Sequence, residues 1–98
     1  MIMRIVHYYA KEDADVMVKL NETGHISKHR MVSGVQEVNV IRCLEKPSLY
    51  ALVQTFTTKN EMIKYKESEM YKQQKAESHF YVDWSKPVTE ATYEILAI

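Results

Sequence analysis

Glycine, proline and cysteine are all scarce in this chain: two, two and one in 98 residues. The lone cysteine, Cys43, has no partner for an internal disulfide, which points to a reducing, cytoplasmic setting. No apolar run approaches the ~20 residues that a membrane-spanning helix needs. The opening residues, MIMRIVHYYAK, lack the apolar stretch and small-residue cleavage site of a signal peptide. Neither sign of charge dominates, with 13 basic and 13 acidic residues. That balance leaves no electrostatic footprint for nucleic acid or for an anionic membrane. Phosphate-binding glycine loops, zinc knuckles, nucleophile elbows and flavin or nicotinamide fingerprints are all missing. No cofactor and no metal are therefore expected.

What remains is an ordinary globular composition, 46% apolar and 27% charged. Ninety-eight residues suffice for one domain with one core, so residues 1–98 are read as a single unit. The few chain breakers punctuate it. Gly34 and Pro47 fall between periodic segments, and Pro87 precedes the last one. A strand-like run over 3–10 is followed by a helical stretch over about 13–32. Two strand-like runs come next, over 35–44 and 49–57. A second helical stretch covers 59 to about 80, and a closing strand covers 88–98. This β-α-β-β-α-β order predicts an α+β, ferredoxin-like fold with an antiparallel sheet.

Local signals support these elements. Asp13 or Asp15 suits the N-cap of the first helix. Thr58 with Glu61 three residues on forms a capping-box pattern for the second. Gly24 sits inside the first helix, where it costs ~1 kcal/mol against alanine, and marks a candidate break. The first helix is expected to bury Val16 or Met17, Leu20, Gly24, Ser27 and Met31. The second is expected to bury Met62, Tyr65, Glu69 or Met70, Gln73 and Ala76.

The strands are apolar on both faces. Met3, Ile5, His7 and Tyr9 share one side of the first strand; Arg4, Val6, Tyr8 and Ala10 share the other. In the second strand, Val38 and Val40 oppose Val35, Ile41 and Cys43. Helices cover only one face of such a sheet. Leaving the other wet would expose a patch that monomers avoid, so a homodimer through the sheet face is expected.

Four segments carry a family likeness. They are Ser33-Gly34-Val35, the run from Leu49 to Met62, Tyr65-Lys66-Glu67-Ser68-Glu69-Met70-Tyr71, and Tyr93-Glu94-Ile95-Leu96. With them, nearly the whole chain resembles the dimeric α/β-barrel superfamily, and within it the antibiotic biosynthesis monooxygenase type. The resemblance implies a cofactor-independent oxygenase of a small aromatic or quinol-type molecule, bound between sheet and helices. It also implies that His7 and Tyr71 occupy catalytic positions and that Phe56 lies at a site position; Asn39 and Tyr65, read from the strand amides and the cleft-facing aromatics, are expected with Phe56 to contact substrate. This chain has Phe56 where relatives often carry tryptophan, Tyr71 where many carry histidine, and His7 where several carry asparagine.

Each candidate has a plainer alternative. His7 suits a general base, since histidine titrates near neutrality, but also a satisfied core or interface position. His25 and His29 share a helical face at i, i+4, yet no third metal ligand accompanies them and they suit a basic helix end. Phe56, Tyr65 and Tyr71 suit a cavity for a planar molecule, or ordinary packing. Asn39 and Gln54 are strand amides that bond within the sheet or point into a cavity. Cys43 reads as an inert thiol. The alternatives to oxygenase chemistry are a non-catalytic small-molecule binding or interaction module, and haem binding or degradation with His7, His25, His29 or His79 as ligand.

Overall fold

Periodicity fixes the strands closely and the helices less well. The computed structural model describes residues 1–12 and 14–97, apart from the side chains of Thr23 and His25. The expectations for Asp13 as a cap, His25 as a ligand and Ile98 in the last strand fall outside the described residues. The elements are β1 (Ile2–Tyr9), α1 (Val16–Thr23), α2 (His25–Arg30), β2 (Val35–Arg42), β3 (Leu49–Phe56), α3 (Lys59–Glu67), α4 (Glu69–Glu77) and β4 (Thr89–Glu94). A 3₁₀ turn, Ser78–Phe80, follows α4. The four strands form one antiparallel sheet in the order β2-β3-β1-β4. This is the ferredoxin-like arrangement expected from the element order.

Both long helical stretches are broken. Asp15 caps α1 by accepting from the Val18 amide at 3.1 Å. The helix ends at Gly24, whose φ of +68° is left-handed, a conformation that glycine adopts without steric cost. In the second stretch, Thr58 caps α3 by accepting from the Glu61 amide. Ser68, extended at ψ 153°, then interrupts it. Its hydroxyl donates to the Tyr65 carbonyl at 2.6 Å and accepts from the Tyr71 amide at 3.2 Å, closing one helix and opening the next.

Each break resets the helical phase, and the expected inner stripes are corrected accordingly. Val16 and Leu20 are buried in α1 as expected, but Ser27 and Met31 are exposed and His29 is buried instead. Met62 and Tyr65 are buried in α3, but Gln73 and Ala76 are exposed, while Gln74 and Ser78 are buried. One strand assignment also changes. A bulge lies between Val35 and Glu37, where Gln36 is the extra residue against β3. It turns Val35 to the helix side, where it packs against Phe56, Met62 and Tyr65. The closing strand is shorter than the 88–98 expected, ending at Glu94.

The core divides into two clusters between sheet and helices. Tyr8, Val16, Leu20, Tyr81 and Val82 form one. Phe56, Met62 and Tyr65 form the other. The space between them is not filled.

Candidate functional site

The helix-side sheet face carries Arg4, Val6 and Tyr8 from β1, paired with Gln54, Leu52 and Tyr50 of β3. Val38 and Val40 of β2 lie alongside Gln54 and Leu52. A cavity of about 300 Å³ opens between this face and the helices. That is the lower end of the volumes typical of small-molecule sites. Val6, Val40 and Leu52 contribute from the sheet, and Leu20 and Ile26 from the first helices. Tyr8, Tyr65, Tyr71, Tyr81 and Trp84 supply aromatic walls. Trp84 is the sole tryptophan of the chain and is partly exposed at 41%. Its indole N–H donates to the Ser78 hydroxyl at 3.2 Å.

One end of the cavity is polar. Arg4 is buried on β1, and its guanidinium donates to Gln54 Oε1 and to Glu90 Oε1, each at 2.6 Å. Lys66 donates to the other Glu90 oxygen at 2.6 Å. Burial works against ionising Glu90, but the hydrogen bonds from Arg4 and Lys66 outweigh it and hold the carboxyl below its usual range. The Arg4 guanidinium also lies against the rings of Tyr71, 5.4 Å away, and Tyr65, 5.9 Å away.

From Arg4 a chain of hydrogen bonds runs inward with a set direction. A guanidinium only donates, so Gln54 must present its oxygen to Arg4 and its amide N–H₂ to His29. Gln54 Nε2 accordingly lies 3.1 Å from His29 Nδ1, which accepts. The imidazole proton then resides on Nε2, which donates to Gln74 Oε1. The Tyr65 hydroxyl completes the cluster, 3.0 Å from His29 Nε2 and 3.2 Å from Gln74 Oε1. One always-charged residue on β1 thus selects the tautomer of a buried histidine on α2.

Burial raises the Tyr65 hydroxyl above its ordinary pKa, although the Arg4 charge pulls the other way. Tyr65 stays protonated through neutral pH and acts as a donor. Burial also pushes Tyr81 up to about 12, aided by Tyr65 and Glu77. Tyr8 is raised for the same leading reason.

The residues singled out from sequence separate into two groups. Tyr65 and Tyr71 line the cavity with ring centroids 5.3 Å apart. Phe56, fully buried, stands behind Tyr65 and supports it at 5.5 Å without lining the space. His7 and Asn39 are not brought to this place. Both side chains are exposed on the opposite sheet face, where His7 pairs with Ala51 and Asn39 with Val53. Strand alternation is the reason, because odd-numbered β1 residues point away from the helices. Gln54 is the strand amide that does reach the site. Arg4, His29, Gln74 and Glu90 were not assigned to it from sequence. Among the described residues, no group of three His, Cys, Asp or Glu side chains is placed to hold a metal ion. No helix of the described residues is long and apolar enough to cross a membrane.

No family profile and no curated protein matches the sequence. Solved structures do match the fold. A Nitrosomonas europaea protein, named provisionally as an antibiotic biosynthesis monooxygenase, superposes with a TM-score of 0.80 at 16% identity, over 99% of this chain and 100% of that one. Rv0793 from Mycobacterium tuberculosis gives 0.80 at 13%, over 99% and 96%. A further antibiotic biosynthesis monooxygenase gives 0.77 at 10%, over 99% and 100%. The chain has the fold of these proteins. The resemblance read from its sequence therefore holds at the level of fold, and the shared fold spans nearly the whole of each chain.

Proposed function

We propose that this protein is a cofactor-independent oxygenase of a small aromatic or quinol-type molecule, bound in the cleft between sheet and helices. The observation that supports this most is the cavity of about 300 Å³ with aromatic walls and one buried polar end. The fold shared with proteins named as monooxygenases adds to it.

In this reading the molecule's rings lie among Tyr71, Trp84 and the strand valines. Its oxygen faces Tyr65. Rotation of the Tyr65 hydroxyl about its Cζ–Oη bond turns the proton from Gln74 into the cavity. That protonated donor, with the Arg4 charge beside it, favours the ionised form of a phenol or enol. The phenol gives its proton to solvent water as it ionises, its ring passes one electron to dioxygen, the two radicals couple to a ring peroxide, and the peroxide takes up a proton and loses water to leave the quinone. His7 has no place in this step, because the sheet separates it from the cavity. Tyr71 walls the site and positions the ring.

The test is oxygen uptake with a panel of naphthols, anthrols and quinols. Tyr65→Phe should lower kcat on the order of 10²-fold, the usual effect of removing one such donor. His7→Ala should leave kcat within about twofold. If His7→Ala abolished uptake and Tyr65→Phe did not, the site would lie on the other face.

One observation favours a second reading, a non-catalytic binding module. Both ring nitrogens of His29 are engaged, by Gln54 and by Gln74, so the cleft presents no free base. No oxygen uptake with any of the panel, together with measurable binding, would decide for that module. The same engagement leaves His29 no lone pair for a haem iron.

The open sheet face supports a homodimer. Met3, Ile5 and Val53 are only half-buried there, and Ile41 and Tyr93 are 53% and 54% exposed. A second copy would cover this patch. Sedimentation at micromolar concentration should give twice the mass of one chain; a stable monomer would refute it.

A further inference from the structure

Two buried nitrogens in this molecule have no hydrogen-bond partner among the described residues: Arg4 Nε and Gln74 Nε2. The two residues are 4% and 8% exposed, and both line the same cavity. Buried polar atoms are nearly always satisfied, so two orphans at one cavity call for a common partner. Both are N–H donors. Gln74 cannot turn its oxygen to the empty side, because His29 and Tyr65 already claim Oε1. The missing partner must therefore offer lone pairs to both, as a carbonyl, a carboxylate or a water does.

The charge around the cavity narrows the choice. Arg4 and Lys75 line it, with Glu90 as the one acidic lining residue. Glu90 is already shared between Arg4 and Lys66. Among the lining residues two cations face one carboxylate, an excess of one positive charge. A neutral carbonyl would satisfy the donors but not the charge; an anion satisfies both.

We infer that the cleft selects an aromatic carboxylic acid, whose carboxylate takes its hydrogen bonds from Arg4 Nε and Gln74 Nε2 while its rings occupy the apolar end. The inference rests on the reading of the cleft as a small-molecule site, and is independent of whether the bound molecule is oxidised.

Isothermal titration calorimetry at pH 7 with 2-naphthoate and with 2-naphthylmethanol tests it, since the two differ in the head group and share the rings. The acid should bind at least tenfold more tightly. Equal affinity, or a preference for the alcohol, overturns the carboxylate assignment and leaves the cleft as a site for neutral molecules. Binding of neither overturns both the assignment and the cleft reading. Gln74→Glu keeps an oxygen for His29 and Tyr65 but replaces the orphan donor with an anion, and should erase the preference for the acid. A preference that survives in Gln74→Glu also overturns the assignment. If that variant does not fold, Gln74→Met removes the donor without adding charge, and the same two outcomes apply.

Discussion

Gln54→Leu should lower the melting temperature by at least ~10 °C. The residue is fully buried and bonds on both sides, accepting from Arg4 and donating to His29. Leucine matches its volume well enough to avoid a large cavity. The cost comes from what it strands, a guanidinium N–H and an imidazole nitrogen, both buried. Each stranded group costs about 1–3 kcal/mol, with charged groups at the upper end. A total of about 3 kcal/mol shifts the midpoint of a chain this size by roughly 12–24 °C. The extra apolar burial of leucine offsets part of that. Asn21→Leu is the matching control, since Asn21 is an exposed amide on α1, off the open sheet face and outside the cavity lining, and its replacement should stay within about 0.5 kcal/mol. The same variant tests the direction of the hydrogen-bond chain. In the wild type, ¹⁵N shifts should show His29 protonated at Nε2 and bare at Nδ1. In Gln54→Leu that preference should fade. A melting point within 3 °C of wild type would mean that the chain from Arg4 to His29 does not hold the cleft together.

Gly34→Ala should be more damaging than any other single-methyl addition to the backbone of this chain. Gly34 has φ +84°, and a Cβ built there lies 2.6 Å from Glu61 Cβ and 2.5 Å from its Cγ. Those atoms are fixed to α3, so the first turn of that helix must move away from β2. The left-handed conformation costs alanine about 1–2 kcal/mol, and overpacking typically another 1–3. Gly24→Ala separates the two effects. Its φ of +68° imposes a similar backbone cost, but the nearest atom is the flexible Lys28 Cε at 3.7 Å. Chemical denaturation should therefore show Gly34→Ala losing about 2–5 kcal/mol and Gly24→Ala about 1–2. Equal losses at the two positions would rule out the contact with Glu61.

The fold was legible because strands have a period of two and the chain breaks were few. The pattern from Met3 to Ala10 already divided β1 into the two faces that the structure uses. It also set Arg4, Val6 and Tyr8 opposite His7, although the weight given to His7 came from the family likeness. The helices were harder. His29 and Gln74 were not placed at the cleft because each lies beyond a phase break, and a stripe extrapolated from Leu20 or Tyr65 passes on the wrong side of both. Gly24 signalled the first break. Ser68 carried a weaker sign of the second, a capping residue three positions before Tyr71. Arg4 offered no local signal at all. Its burial depends on Gln54 and Glu90, which are 50 and 86 residues away in sequence.

Every proposal made for this protein's ligand and chemistry depends on the cleft under the helices, and not the open sheet face, being where a small molecule binds. A ¹H–¹⁵N and ¹H–¹³C NMR titration with 2-naphthol measures that directly. The expected result is saturable shifts at the Trp84 indole, the Gln74 amide and the rings of Tyr65 and Tyr71, with His7 and Asn39 unmoved. Shifts confined to His7, Asn39 and their neighbours, or no saturable shifts, would contradict it.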